Sequence, residues 1–136
     1  KTLGEATEIK DGDCLAQEFQ AKGTRIDRIV LKLNPAKEGV LTCRISEKET
    51  GKTVWENSLQ SADLKNGYNE IVFDATKQLE KDSWYEVVLE PQKTGEGVYK
   101  IYHTAEHLKS GGAYATLNET DTGWYLGVQI YQYGGT

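Results

Sequence analysis

The sequence predicts an all-β fold, an antiparallel sandwich or barrel of about eight or nine short strands. Short segments alternate apolar and polar residues with a period of two, the pattern of a strand with one buried face. Gly, Pro, Asn and Asp separate these segments at near-regular intervals, as turns between antiparallel strands require. No helical pattern is long enough to connect parallel strands, and 136 residues correspond to one domain, residues 1–136.

The first half of the chain contains four predicted strands, which follow a polar stretch, residues 1–13. Pro35 ends the second strand because proline cannot donate a ladder hydrogen bond. Gly51 supplies the positive φ that a short hairpin loop needs. The strands are residues 14–21, 25–33, 40–46 and 53–59, with Leu15, Phe19, Ile29, Leu31, Leu33, Leu41, Cys43, Ile45, Trp55 and Leu59 pointing inward.

The second half continues the same pattern up to a closing strand. Turn residues at Gly67, Pro91 and Gly111 separate the segments. Two stretches, residues 75–81 and 104–109, fit either a helical turn or a loop. The predicted strands are residues 68–73, 84–89, 98–103 and 114–117, and the residues expected in the core include Ile71, Phe73, Tyr85, Val87 and Leu89.

The closing stretch, residues 123–134, has the clearest alternation and is predicted to form one strand with two different faces. The apolar face, expected against the core, consists of Trp124, Leu126, Val128 and Ile130. The outward face consists of Tyr125, Gln129, Tyr131 and Tyr133. A flat ring offers an apolar surface to the C–H face of a sugar, and an amide both donates to and accepts from hydroxyls.

Two interpretations of this outward face remain open, a sugar-binding surface and ordinary packing of tyrosines, which favour strands. Residues 110–136 contain no Lys or Arg, but four of the eight Tyr and six of the fourteen Gly. A surface of this composition suits adaptable polar recognition. The predicted ligand-binding residues are therefore Tyr125, Gln129, Tyr131 and Tyr133, with Trp124 or Tyr114 at the edge. Binding is expected to be nearly independent of salt, because so few charges lie in this region.

Charge and composition exclude several classes of partner. A net charge of −5 disfavours nucleic acid, whose backbone requires clustered Lys and Arg. No apolar run is long enough for membrane insertion, and no signal peptide is recognisable. The chain contains no Met, so it is expected to be a mature protein or an excised domain.

Two clusters of oxygen donors predict a structural calcium ion, because calcium takes hard oxygen ligands from loops. They come together if the ends of the domain lie close to each other. Two ordinary polar turns are the alternative. The residues are Asp11, Asp13, Asn118, Glu119 and Asp121. His103 and His107 are spaced like a zinc pair on a helix, but only a short helical turn is expected there.

No catalytic motif is present, and the domain is predicted not to be an enzyme. The sequence lacks a nucleophile elbow, a P-loop and a dinucleotide fingerprint. Glu86 and Glu90 share the outward face of one strand, where solvated charges are the norm. The cysteines, Cys14 and Cys43, are expected to be free thiols, with Cys43 in the core.

The order of these features resembles a known class of module. The residues that carry the resemblance are Gln17-Glu18-Phe19, Gly23, Ile26, Ile29-Val30-Leu31, Gly39-Val40-Leu41-Thr42, Asn66-Gly67-Tyr68, Val72-Phe73, Trp84-Tyr85-Glu86-Val87-Val88-Leu89 and the closing strand 124–133. The chain is similar to the jelly-roll β-sandwich accessory modules, of the carbohydrate-binding-module type, in bacterial extracellular glycan-active enzymes.

This resemblance implies a two-sheet jelly roll and a non-catalytic domain that targets a larger enzyme or a cell surface to a polysaccharide or oligosaccharide. It also implies a secreted or cell-surface bacterial location, further domains on the same polypeptide and often a structural calcium ion. The alternative is a structural or protein-interaction module of a multidomain surface protein, since Tyr and Trp also mark protein interfaces.

Overall fold

The computed structural model describes residues 4–135 and confirms the antiparallel two-sheet β-sandwich. Within these residues twelve strands occur rather than eight or nine, with one short 3₁₀ turn, Ser61–Asp63. The strands are β1 (Glu5–Ile9), β2 (Leu15–Gln20), β3 (Arg25–Asn34), β4 (Val40–Glu47), β5 (Thr53–Gln60), β6 (Gly67–Gln78), β7 (Trp84–Gln92), β8 (Tyr99–Thr104), β9 (Thr116–Leu117), β10 (Thr120–Asp121), β11 (Tyr125–Leu126) and β12 (Val128–Tyr133).

The chain crosses repeatedly between the two sheets. Sheet A contains β1, β8, β3 and β12, with β6 on β3 and β11 on β8. Sheet B has the order β10-β9-β2-β7-β4-β5. The chain therefore changes sheet eight times, between β1 and β2, β2 and β3, β3 and β4, β5 and β6, β6 and β7, β7 and β8, β8 and β9, and β10 and β11.

The core lies between the sheets, and the predicted core residues Trp55, Phe73, Leu89, Leu126 and Val128 are all buried there. The Trp55 and Phe73 rings stack with centroids 3.9 Å apart, which joins β5 of sheet B to β6 of sheet A. Cys43 is fully buried, and burial raises its pKa to about 12. Both cysteines are free thiols.

Several predicted elements are corrected. β1 was not expected because only Ile9 of its residues is buried; it pairs with β8 along its whole length. Residues 75–78 continue β6 as strand rather than forming a helical turn, and residues 105–109 form bends and a turn. The closing strand is broken at Gly127, where pairing passes from β8 to β3.

No helix among residues 4–135 has the length and apolar character needed to cross a bilayer.

Candidate functional site

The outward row of β12 agrees with the predicted alternation. Gln129 is exposed, Tyr131 is half-buried, and Tyr133 is 38% exposed. The Tyr131 hydroxyl donates to Gln129 Oε1 at 3.3 Å, which orients the amide. A bulge interrupts the β12–β3 ladder, and its extra residue is Asp27 of β3. Because the extra residue belongs to β3, the side chains of β12 keep their alternation through the bulge.

Neighbouring strands extend this face with two tyrosines that the sequence interpretation missed. Tyr68 on β6 is 45% exposed, and Tyr102 lies on β8. Lys32 of β3 lies over both rings, 4.5 Å from the Tyr102 centroid and 5.6 Å from that of Tyr68. The alternation of Tyr102 with the buried Ile101 and His103 marks it as outward, but the sequence does not tell which strands are neighbours.

A groove runs along β12, with a loop as its second wall. We call it the β12 groove; its volume is about 550 Å³. A smaller cavity of about 150 Å³ adjoins it and includes Tyr68. The described residues lining the β12 groove are Lys22, His107, Leu108, Lys109, Ser110, Val128, Gln129, Ile130, Tyr131 and Gln132.

The loop wall is held against β2 by two hydrogen bonds and by the close approach of Gly112. The Gln20 amide donates to the Ser110 carbonyl at 3.2 Å, and the Ala113 amide donates to Glu18 Oε1 at 2.8 Å. Gly112 has a φ of +119°, and a Cβ there would lie 2.5 Å from the Glu18 carbonyl oxygen. Only glycine tolerates this approach, so Gly112 is what allows the wall to lie so close to the strand.

Gln17 connects the loop wall to the closing segment from inside the core. Its side chain is fully buried. The Leu126 amide donates to Gln17 Oε1 at 2.8 Å, and Gln17 Nε2 donates to the Ala113 and Glu18 carbonyls at 2.9 and 3.0 Å. A buried amide is tolerated because its donors and acceptor are paired. Alternation places Gln17 inward between Leu15 and Phe19, which was the available clue.

Tyr125, predicted to be exposed on the outward face, is buried instead, with 4% exposure. Its hydroxyl forms a hydrogen bond with His107 Nε2 at 3.1 Å, and its ring packs against the ring of Tyr114 with the centroids 5.0 Å apart. Burial, together with the nearby Tyr114 phenol, raises the pKa of Tyr125. Tyr125 therefore supports the loop wall rather than facing a ligand, whereas Tyr114 is 45% exposed at the edge.

Trp124 packs toward the core, as its position in the alternation predicts. Its ring stacks on His103 with centroids 3.9 Å apart. Burial lowers the pKa of His103, and its Nδ1 has no hydrogen-bond partner among residues 4–135. His103 points inward from β8, whereas His107 lies in the loop against Tyr125. The two imidazoles are therefore not arranged as the pair of zinc ligands that this spacing would give on a helix.

The expectation of a nearly uncharged surface is wrong. Lys22 and Lys109 line the β12 groove, and the Arg28 guanidinium lies 4.3 Å from the Tyr131 ring centroid. Arg28 also forms ion pairs with Glu70 at 3.1 Å and Asp27 at 4.0 Å. All of these charges lie outside residues 110–136, with Lys109 immediately before that stretch, so its composition did not reveal them.

The two predicted calcium clusters do meet at one point. Asn118 Nδ2 donates to Asp13 Oδ1 at 2.9 Å, and the Cys14 amide donates to Asn118 Oδ1 at 2.8 Å. This bond with Asn118 lowers the pKa of Asp13. Asp11 instead accepts from the Lys93 amide. Residues 4–135 contain no group of three His, Cys, Asp or Glu side chains arranged to hold a metal ion, and calcium binding stays a prediction.

The other two predicted calcium ligands lie in the β9–β10 hairpin. Glu119 and Asp121 are both exposed. Asn118 and Glu119 have positive φ values of 52° and 71°, the conformation of a two-residue type I′ turn. The local turn alone therefore accounts for an Asn at this position.

A cavity larger than the β12 groove lies elsewhere, on sheet B. Its volume is about 860 Å³, and Trp84, 40% exposed, is its one exposed aromatic ring among the described residues. Glu86 lies nearby on the same face, paired with Lys48 at 3.7 Å, and Glu90 pairs with Arg44. The described lining residues are Glu18, Glu47, Lys48, Glu49, Thr50, Glu80, Asp82, Ser83, Trp84 and Tyr85.

Neither a comparison with protein-family models nor one with curated proteins finds a match to this chain. The functional argument therefore depends on the geometry of the two surfaces.

Proposed function

We propose that this domain binds carbohydrate without catalysing a reaction, and that a polysaccharide or oligosaccharide lies along the β12 groove. The observation that carries the proposal is the outward row on β12, where Tyr131 and the Gln129 amide line the groove and Tyr133 continues the row along the strand. Protein sites for small ligands commonly enclose ~300–1,000 Å³, and the β12 groove has about 550 Å³. In this role the domain holds a larger secreted or cell-surface bacterial protein against a glycan.

The test is a glycan array with the isolated domain, followed by calorimetry on any ligand found. Tyr131→Ala should weaken binding by about tenfold or more, because a stacking surface is lost. Stability should fall by no more than about 1 kcal/mol, since the exposed cation–π contact with Arg28 is of that size. Gln129→Ala should weaken binding by ~1–3 kcal/mol if the sugar hydroxyl it pairs with is desolvated.

Trp84→Ala is the matched control, because it removes an exposed ring on the other sheet. Glycan binding that is lost in Trp84→Ala but kept in Tyr131→Ala would move the site to sheet B. A domain that binds no glycan at all would contradict the proposal.

The second candidate is a protein-interaction module, and exposed apolar surface on β6 favours it. Val72 is 60% exposed and Tyr68 is 45% exposed on the same face of sheet A. A stable protein interface buries about 800 Å² on each partner, so it would spread beyond the β12 groove onto β6. Val72→Ser should weaken the binding of a protein partner and leave the affinity for glycan unchanged.

A further inference from the structure

The β12 groove has basic residues in its lining, although the net charge of the chain is −5. Lys22 and Lys109 line it, and none of its described lining residues is an acid. The chain as a whole has 21 acidic and 16 basic residues. The larger cavity beside Trp84 shows the contrast, since its described lining includes five carboxylates and one lysine.

Lys22 is fixed at one end of the groove. Its backbone amide donates to Gln132 Oε1 at 2.7 Å, which places it beside the end of β12. Its ammonium donates to the neutral Gln20 Oε1 at 3.0 Å, and among residues 4–135 it forms no ion pair with a carboxylate. Arg28 differs, because Glu70 compensates its charge.

Lys109 belongs to the loop wall. It lies next to Ser110, whose carbonyl accepts from the Gln20 amide, and inside the turn that the Gly111 amide closes onto the Leu108 carbonyl at 3.0 Å. The two lysines therefore belong to two backbone segments that the structure holds in place. An anion entering the groove meets positive charge from the β2–β3 turn at one end and from the loop wall.

We propose that the β12 groove binds an anionic saccharide, whose carboxylate or sulfate group lies near Lys22 and Lys109 while a ring stacks on Tyr131. This inference depends on the proposed carbohydrate function and names its ligand class. Hydrogen bonds between an ammonium and an anionic oxygen are stronger than those to a hydroxyl, so the groove discriminates charged from neutral sugars.

The experiment compares matched ligands by calorimetry. An oligogalacturonate and its methyl ester share one backbone and differ in charge, and a sulfated galactan oligomer with its desulfated form separates sulfate from carboxylate. The charged member of a pair should bind about two- to fivefold more tightly for each lysine contact, the size of an exposed ion pair. This preference should shrink as salt rises from about 50 to about 500 mM.

The variants Lys22→Gln and Lys109→Gln should each lower the affinity for the charged ligand and leave the neutral one unchanged. Lys52→Gln is the matched control, an identical charge change at an exposed residue outside the groove. The melting temperature of each variant checks that the substitution preserves the fold.

Each outcome decides between the two proposals. Equal affinity for charged and neutral members overturns the anionic ligand and keeps carbohydrate binding. An absence of binding to every saccharide contradicts carbohydrate binding itself. Binding of single-stranded oligonucleotide or polyglutamate as tight as that of the charged saccharide overturns the saccharide class, because either would show that the lysines select any polyanion.

Discussion

Replacing Gln17 with Ala should destabilise the domain strongly, although the residue is polar. The substitution removes the acceptor for the Leu126 amide, which is buried, so that donor loses its partner. An unpaired buried donor costs ~1–3 kcal/mol. The lost packing of the side chain adds about 1 kcal/mol, the value of one buried methylene. The Ala113 carbonyl, on an exposed residue, recovers its bond from water.

The expected loss is therefore about 2–4 kcal/mol, or a decrease in Tm of roughly 6–15 °C for a domain of this length. Urea unfolding followed by Trp fluorescence measures the free energy of unfolding directly. Gln20→Ala is the control on the same strand. The Gln20 side-chain amide donates to the Asp82 carbonyl at an exposed position, where water can replace the lost bond. A change below about 0.5 kcal/mol in Gln17→Ala would refute the argument, because it would mean that the buried amide bridge contributes nothing.

Three further predictions concern packing, protons and metal. Phe73→Ala should cost ~3–5 kcal/mol in urea unfolding, because it removes the stack on Trp55, and a loss below 1 kcal/mol would contradict the inter-sheet role. Burial lowers the pKa of His103 from its ordinary value of 6.5, although the nearby Glu5 carboxylate opposes this shift. The neutral imidazole therefore contributes fully to the free energy of unfolding above pH 6.5, and this contribution is lost as the pH falls toward the lowered pKa. His103→Gln should flatten this part of the pH profile, and an identical slope in both proteins would contradict the assignment. If the predicted calcium site exists, EDTA should lower Tm and added calcium restore it; an unchanged Tm rules out a structural calcium ion.

The sequence predicts the core of this domain well because burial follows a local rule. Alternation identifies Leu126 and Val128 as inward, and both are buried. It misses β1 because an edge strand with only Ile9 buried has little apolar pattern of its own. Its pairing with β8 is a property of the assembled sheet.

The candidate site was predicted less completely, because its composition depends on contacts between distant segments. Alternation correctly places Tyr131 outward, but it treats Tyr125 in the same way. Tyr125 is covered by a loop about twenty residues earlier in the chain, a contact that no periodicity reports. Alternation within one strand also does not reveal the lysines of the groove, because Lys22 reaches it from the turn after β2.

β12 lies far along the chain from β3, the strand with which it pairs, and this separation affects how the domain is made. β12 fills one side of β3, so until it has been synthesised that edge of β3 presents unpaired amides and carbonyls to other chains. Its last residues are clamped to the β2–β3 turn, where the Thr24 amide donates to the Tyr133 carbonyl at 2.8 Å and a Cβ at Gly23 would lie 2.5 Å from the same oxygen. A ribosome that stalls before Val128 therefore releases a chain with an open sheet edge, a target for proteases and a seed for aggregation.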